Sequence, residues 1–229
     1  MLSGPQPTQC CNIHSKVAQV CDTTLTWSDH IKTVCCKLRK NLEIISRIRH
    51  KVNFHVLLML CCTLVQPYCE YCSIVWAAGH STLLESLFRK QKKAVRLISY
   101  AKWNSHTSPI FCKLKKFSVY DINKFQTRCF AYKSFNSLLP NIFNGIFVTN
   151  SDMHDHNTRQ RTKLHVISHR IKVREFSIQV YDTKQWNSLE KSVIESPSFY
   201  IFKKRCKALI LQQLNFIYCK FIFLLIGRC

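Results

Sequence analysis

Glycine stands at only four of 229 positions, 4, 79, 145 and 227, where average usage of ~7% would supply roughly sixteen. No two of them lie close enough to build a Gly-rich phosphate loop or a Gly-x-Ser-x-Gly elbow. Nucleotide-fold and nucleophile-elbow hydrolase architectures are therefore excluded. A His-Glu-x-x-His motif is absent as well. The length fits one domain or two small ones, and with 47% hydrophobic and 12% aromatic residues there is material for a core rather than the composition of a disordered chain.

The charge balance is lopsided. Thirty-four Lys and Arg face twelve Asp and Glu, a formal net charge of +22, and an excess of that size points to a polyanionic partner. Fourteen cysteines are present. No basic-then-apolar leader opens the chain, and the pairs Cys10–Cys11, Cys35–Cys36 and Cys61–Cys62 are adjacent in sequence, poorly placed for disulfides, so reduced thiols are expected. The longest apolar run, 54–65, contains His55 and gives way to Gln66, Pro67 and Glu70, while the tail 216–226 is shorter still and holds Lys220. A membrane-spanning helix wants about 20 apolar residues, so no membrane span is expected from either.

Hydrophobic periodicity predicts helices. Thr26-Trp27-Ser28-Asp29 has the spacing of a capping box, and Ile31, Val34, Leu38, Leu42, Ile45 and Ile48 then recur every three or four residues on one stripe. Lys32, Lys37, Arg39, Lys40, Arg47 and Arg49 fall largely off it. A second helix is expected over 53–65, ending near Pro67. Because it is apolar nearly all round, it is expected at the centre of a first bundle. The third opens with another capping box, Thr82-Leu83-Leu84-Glu85, and runs to about Tyr100. At about 100° per residue, Leu84, Leu87, Phe88, Ala94, Val95 and Ile98 share one face and Arg89, Lys92, Lys93 and Arg96 the other. A fourth helix fits 119–137, with Ile122, Phe125, Cys129 and Tyr132 on one side. Beyond Pro140 the signal weakens: 142–148 and 174–181 suggest short strands, and 197–214 a last helix with Phe199, Phe202, Cys206 and Leu209 inward.

Enzymatic centres find little support in these residues. No Asp-Asp pair exists, and the nearest carboxylate cluster, Asp152 and Asp155 with His154 and His156, lacks the further carboxylate that a metal or nuclease centre needs. A hydrogen-bonded polar turn is the expected reading. Cys69-x-x-Cys72 has zinc-ligand spacing, and His80 would give a third ligand, but a structural site takes four. Buried thiols are expected there. His165-x-x-x-His169 is read as part of a basic, solvated stretch. The cations themselves concentrate at 32–51, 89–116 and 159–174, beyond what solubility requires. Nine basic residues and no acid lie between Arg89 and Lys116. Contact with a phosphate backbone is the expected use, strongly salt-dependent and with little base discrimination. Trp103, Phe111 and Phe117 lie within that run, placed either to stack on unpaired bases or to enter the core.

Several short blocks stand in a recognisable order: Thr24-Leu25-Thr26-Trp27-Ser28-Asp29-His30-Ile31, Leu64-Val65-Gln66-Pro67-Tyr68-x-x-Tyr71, Val75-Trp76, Gln91-Lys92-Lys93-Ala94-Val95-Arg96, His106-Thr107-Ser108-Pro109, Tyr132-Lys133, Ser137-Leu138-Leu139-Pro140, His156-Asn157-Thr158-Arg159 and Trp186-Asn187-Ser188-Leu189. In that order the chain, from about 20 to 211, resembles the region after the palm in non-LTR (LINE, jockey-like) retrotransposon reverse transcriptases. The sequence departs from the family at Val17-Ala18-Gln19-Val20, where an aromatic-Leu-Gly-Val strand is usual. It departs again around Trp186, where Asp182-Thr183 and Leu189-Glu190 replace Gly-Pro and Leu-Pro. No histidine follows His169 to make a zinc knuckle.

Periodicity and the resemblance together give a mainly α chain: a disordered leader or degenerate palm end at 1–19, a thumb-like helical bundle at 20–100, and a smaller helical and irregular post-thumb extension with a few short strands at 101–214, followed by an apolar tail at 215–229 that resembles nothing in the family. The resemblance implies a thumb that grips template and primer through the backbone. The family's catalytic Tyr-x-Asp-Asp belongs to the palm and is expected upstream of Met1, so no catalytic residue, metal or cofactor is assigned. The expected function is residual, non-specific binding of RNA or DNA backbone through Lys37, Arg39, Lys40, Arg89, Lys92, Lys93 and Arg96. No small-molecule substrate is expected, and an intracellular location, cytoplasm or nucleus, is. Two alternatives stand beside it: a translated relic of a decayed element with no biochemical role, and a membrane-surface protein using the tail and the basic helices.

Overall fold

The computed structural model describes residues 27–77, 81–153, 155–156 and 159–226. The expected leader at 1–19, the capping residue Thr26 and His80 lie outside them. The chain is mainly α. Its first part comprises α1 (Ser28–Ile48), α2 (Phe54–Leu64), α3 (Gln66–Glu70), α4 (Ser73–Trp76), α5 (Ser81–Ile98), α6 (Ser108–Leu114) and α7 (Val119–Phe135). After a 3-10 turn at Asn141–Phe143 come α8 (Asn150–Met153), α9 (Lys172–Glu175), α10 (Ile178–Asn187), α11 (Lys191–Ile194) and α12 (Phe199–Ile226).

The stripes of α1 and α5 pack largely as their spacing dictates, except that Ile48 and Phe88 are only half-buried and Leu97, outside the expected stripe, is buried. Ile31, Val34, Leu38, Leu42 and Ile45 of α1 are buried with Leu84, Leu87, Ala94, Leu97 and Ile98 of α5. The C-terminal ends of the two helices meet: the Tyr100 hydroxyl donates to the Arg49 carbonyl, and the Arg49 guanidinium lies 5.1 Å from the Tyr100 ring centre. Both therefore run in the same direction. The helix starts differ from expectation. Trp27, in the left-handed region at φ 59°, precedes α1 with no side-chain cap, and Asp29 instead pairs with Lys32 at 3.1 Å. Helix α5 begins at Ser81, so Thr82 lies inside its first turn.

Helix α2 departs most from the expected arrangement. Only Leu57 and Cys61 of α2 are buried, whereas Phe54, Val56 and Met59 are exposed, Met59 by 56%. The helix packs at the edge of the bundle, not at its centre, because α1 and α5 bury each other directly and leave α2 one side to cover. Asn53 caps it, accepting from the Val56 N–H at 2.9 Å. At Val65 the chain turns and resumes as α3, with Pro67 in its first turn, where a missing N–H costs nothing.

Helix α7 joins two cores. Ser118 and Asp121 form its capping box, Val119 and Ile122 enter the first core, and Ala131 and Tyr132 enter a second with Trp186, Val193, Phe202 and Cys206. Tyr132 stacks on Phe202 with ring centres 4.3 Å apart, and its hydroxyl donates to the Ser196 carbonyl at 2.8 Å. The strands expected at 142–148 and 174–181 are not formed. The first of these segments carries the 3-10 turn, and the second ends α9 and opens α10. Among the described residues only an isolated antiparallel bridge, Thr149 to Leu164, has β pairing. Of the inward residues expected in the last helix, Phe202 and Cys206 are buried and Phe199 and Leu209 half-buried, and α12 continues past 214 to Ile226. Among the described residues no helix is long and apolar enough to cross a membrane.

Candidate nucleic-acid interface

The face of α5 opposite its buried stripe carries Arg89, Lys92, Lys93 and Arg96. Glu85, one and two turns earlier, is the carboxylate that reaches them, with Lys92 Nζ at 3.2 Å and Arg89 Nε at 3.9 Å. One acid shared by two cations leaves the face strongly positive. Lys92 also lies 4.1 Å from the centre of the Phe88 ring, which holds its ammonium beside the helix. Arg96 has a structural duty as well: its Nε donates to the Ser105 carbonyl at 2.9 Å, tying down the loop between α5 and α6. That loop presents Trp103, 86% exposed, next to the end of the cationic face. Of the other two aromatics in this run, Phe111 is in the core and Phe117 packs half-buried against it.

The three cations named on α1 divide between its flanks. At about 100° per residue, Cys35 and Arg39 share one flank and Lys37 and Asn41 the other. The Cys35 flank is turned to α5: burial pushes the Cys35 thiol up, and the Lys90 ammonium of α5 partly offsets the rise. The Asn41 flank is turned to α2, since the Asn41 amide donates to the Leu64 carbonyl at 2.7 Å. Arg39 therefore borders the α5 face, Lys40 points outward and Lys37 stands on the side of α2. Arg39 lies 4.0 Å from Glu43, an exposed pairing that leaves it open to other anions. The structure thus brings Arg89, Lys92, Lys93 and Arg96 together with Arg39 at their edge, and holds Lys37 and Lys40 apart from them.

The third basic stretch presents Arg159, Arg161, Lys163, Arg170 and Arg174 as exposed side chains. Its backbone is held by Asn187, which accepts from the Leu164 N–H at 3.0 Å and donates to the Leu164 carbonyl at 2.8 Å. His165 and His169 lie in an irregular segment, not on a helix, so their i, i+4 spacing does not bring them onto one face. Asp152 lies in the one-turn helix α8, in place of the expected polar turn: its carboxylate accepts from the Thr149 hydroxyl at 2.6 Å and N–H at 3.0 Å, bonds that hold it below the usual carboxylate range. Cys69 is buried and its thiol is pushed far up by that burial and by neighbouring Cys61, Glu70 and Cys35. Cys72 is half-buried, in the left-handed region ahead of α4. Among the described residues no group of three His, Cys, Asp or Glu is placed to hold a metal ion.

Comparison with protein-family models, with curated proteins and with solved structures returns no match. The arrangement itself is a rigid positive helix face with an exposed indole at one end, suited to holding phosphates at fixed spacing. Sequence periodicity located the α5 face. It gave no sign of Lys203 and Lys207 of α12, which the fold carries across to Lys116 near the start of α7.

Proposed function

We propose that this chain is the thumb and post-thumb part of a non-LTR retrotransposon reverse transcriptase without polymerase chemistry of its own, and that it binds RNA or DNA through the phosphate backbone. The order of the nine short blocks supports the family reading. The observation that carries the binding reading is the outward face of α5, four cations against one carboxylate on a helix whose other face is fixed in the core. Phosphates held by lysines and arginines fix position without reading bases. The paired aspartates of a polymerase centre do not occur in the sequence. Arg39 extends the face toward α1, and Trp103 offers a ring to an unpaired base at its end.

Competition binding tests this. Duplexes of unrelated sequence should displace a labelled duplex with equal potency, while a neutral polymer does not. Absence of any binding at low salt would instead favour a relic whose charge is inherited and unused.

A further inference from the structure

A cleft of about 510 Å3 opens on the other flank of α5, between α3, α6, α7 and α12. Its apolar walls include Phe117 and Phe125, with ring centres 6.0 Å apart, and Phe111 at the back. Four lysines border it. Lys115 and Lys116 come from the connection between α6 and α7, and Lys203 and Lys207 from one side of α12, a turn apart. The carboxylate among its lining residues is Glu70, one oxygen of which already accepts from the Gln66 amide. Lys116 Nζ donates to Gln66 Oε1 at 2.9 Å and to Cys62 Sγ at 3.0 Å, so the ammonium is held in place with a third N–H to spare. Lys207 Nζ lies 5.6 Å from the centre of the Phe125 ring. Charge and aromatic wall therefore meet at one point.

Two elements far apart in sequence converge four like charges on an apolar space. One carboxylate faces them, and Lys203 Nζ also lies 5.3 Å from the centre of the Phe199 ring. A volume of this size lies within the range of small-molecule sites. The chemistry that would satisfy it is a flat aromatic ring attached to a phosphate. We infer that the cleft binds a nucleotide unit, its phosphate held by Lys116, Lys203 and Lys207 and its base against Phe117 and Phe125. None of these side chains belongs to the α5 face, so the inference stands independently of duplex binding.

Calorimetric titration of the full chain with AMP, adenosine and inorganic phosphate tests it. AMP should bind saturably at one site, with adenosine and phosphate each about tenfold weaker or worse, about 1.4 kcal/mol per tenfold. The pair Lys203→Glu and Lys207→Glu should weaken AMP by about tenfold with unchanged far-ultraviolet circular dichroism, while Arg89→Glu with Lys93→Glu leaves it unaltered. If the α12 pair unfolds the chain, Lys207→Gln alone, at an exposed position, should still weaken AMP severalfold. A 5′-phosphorylated trinucleotide that binds more tightly than AMP identifies a strand end as the ligand, and equal affinity identifies the free nucleotide. Three results overturn the inference: no saturable AMP binding, AMP affinity indifferent to both α12 substitutions, or tighter binding of a fatty-acid anion than of AMP.

Discussion

Removing the Gln91 side chain would strand two backbone groups. Its amide donates to the Phe117 carbonyl at 2.8 Å and its oxygen accepts from the Val119 N–H at 2.9 Å, so one side chain fastens α5 to the start of α7. Gln91→Ala leaves that buried N–H without an acceptor, and urea denaturation should show a loss of about 1–3 kcal/mol. A second test concerns Asp182, 1% exposed on α10 where it faces α7. Burial pushes its carboxyl up to about 8, and the Thr127 hydroxyl nearby works in the opposite direction. Because the folded-state value lies above the unfolded one, the folded chain binds the proton more tightly. Stability should then fall as pH rises from about 4 to about 8, and Asp182→Asn should flatten this dependence in thermal melts. Identical pH profiles for the two proteins would refute the assignment. Neither residue announces its role in the sequence. Gln91 sits beside two lysines and reads as surface, and Asp182 reads as an ordinary helix acid until α7 is packed over it.

At the scale of elements, legibility followed how completely one neighbour buries a helix. Helices α1 and α5 cover each other, so most of their expected stripe is buried, although Ile48 and Phe88 are only half-buried and Gln91 and Leu97 are buried beside it. Helix α2 has apolar side chains all round yet lies at the edge, and its composition alone could not show which side would be covered. The consequence is measurable: Met59→Lys should change stability by no more than about 0.5 kcal/mol, whereas Leu57→Ala should cost about 2–5 kcal/mol by leaving a cavity. Comparable losses for both would place α2 inside the bundle after all. The segment 174–181 misled for another reason. Phe176, Ile178 and Val180 alternate with polar residues as in a strand, but Val180, Asp182, Thr183 and Trp186 become buried, and the spacing of three from Val180 to Thr183 to Trp186 is helical. The second core behind them needs Tyr132 and Phe202, too distant in sequence for any local period to connect.

On the scale of the whole molecule, α7 makes the two cores one structure, since Val119 and Ile122 belong to the first and Ala131 and Tyr132 to the second. Leu38→Ala in the first core and Phe202→Ala in the second should therefore each lower the stability measured in a single unfolding transition, by about 2–5 and 3–5 kcal/mol. Two separate transitions would show the cores to be independent. The net charge of +22 was plain from the sequence, but its division was not: the fold gathers Arg89, Lys92, Lys93 and Arg96 on α5, turns Lys37 toward α2, and sends Lys203 and Lys207 to a separate cleft. The α5 face is best tested by fluorescence anisotropy of the full chain on a short duplex across a salt series, beside Arg89→Glu with Lys93→Glu, which spares the Arg96 bond to Ser105. Affinity should fall linearly in log–log form with salt, and the double substitution should weaken binding and flatten the slope by about 2, roughly one for each phosphate no longer neutralised. An affinity indifferent to salt, or an identical slope in the substituted protein, would contradict it.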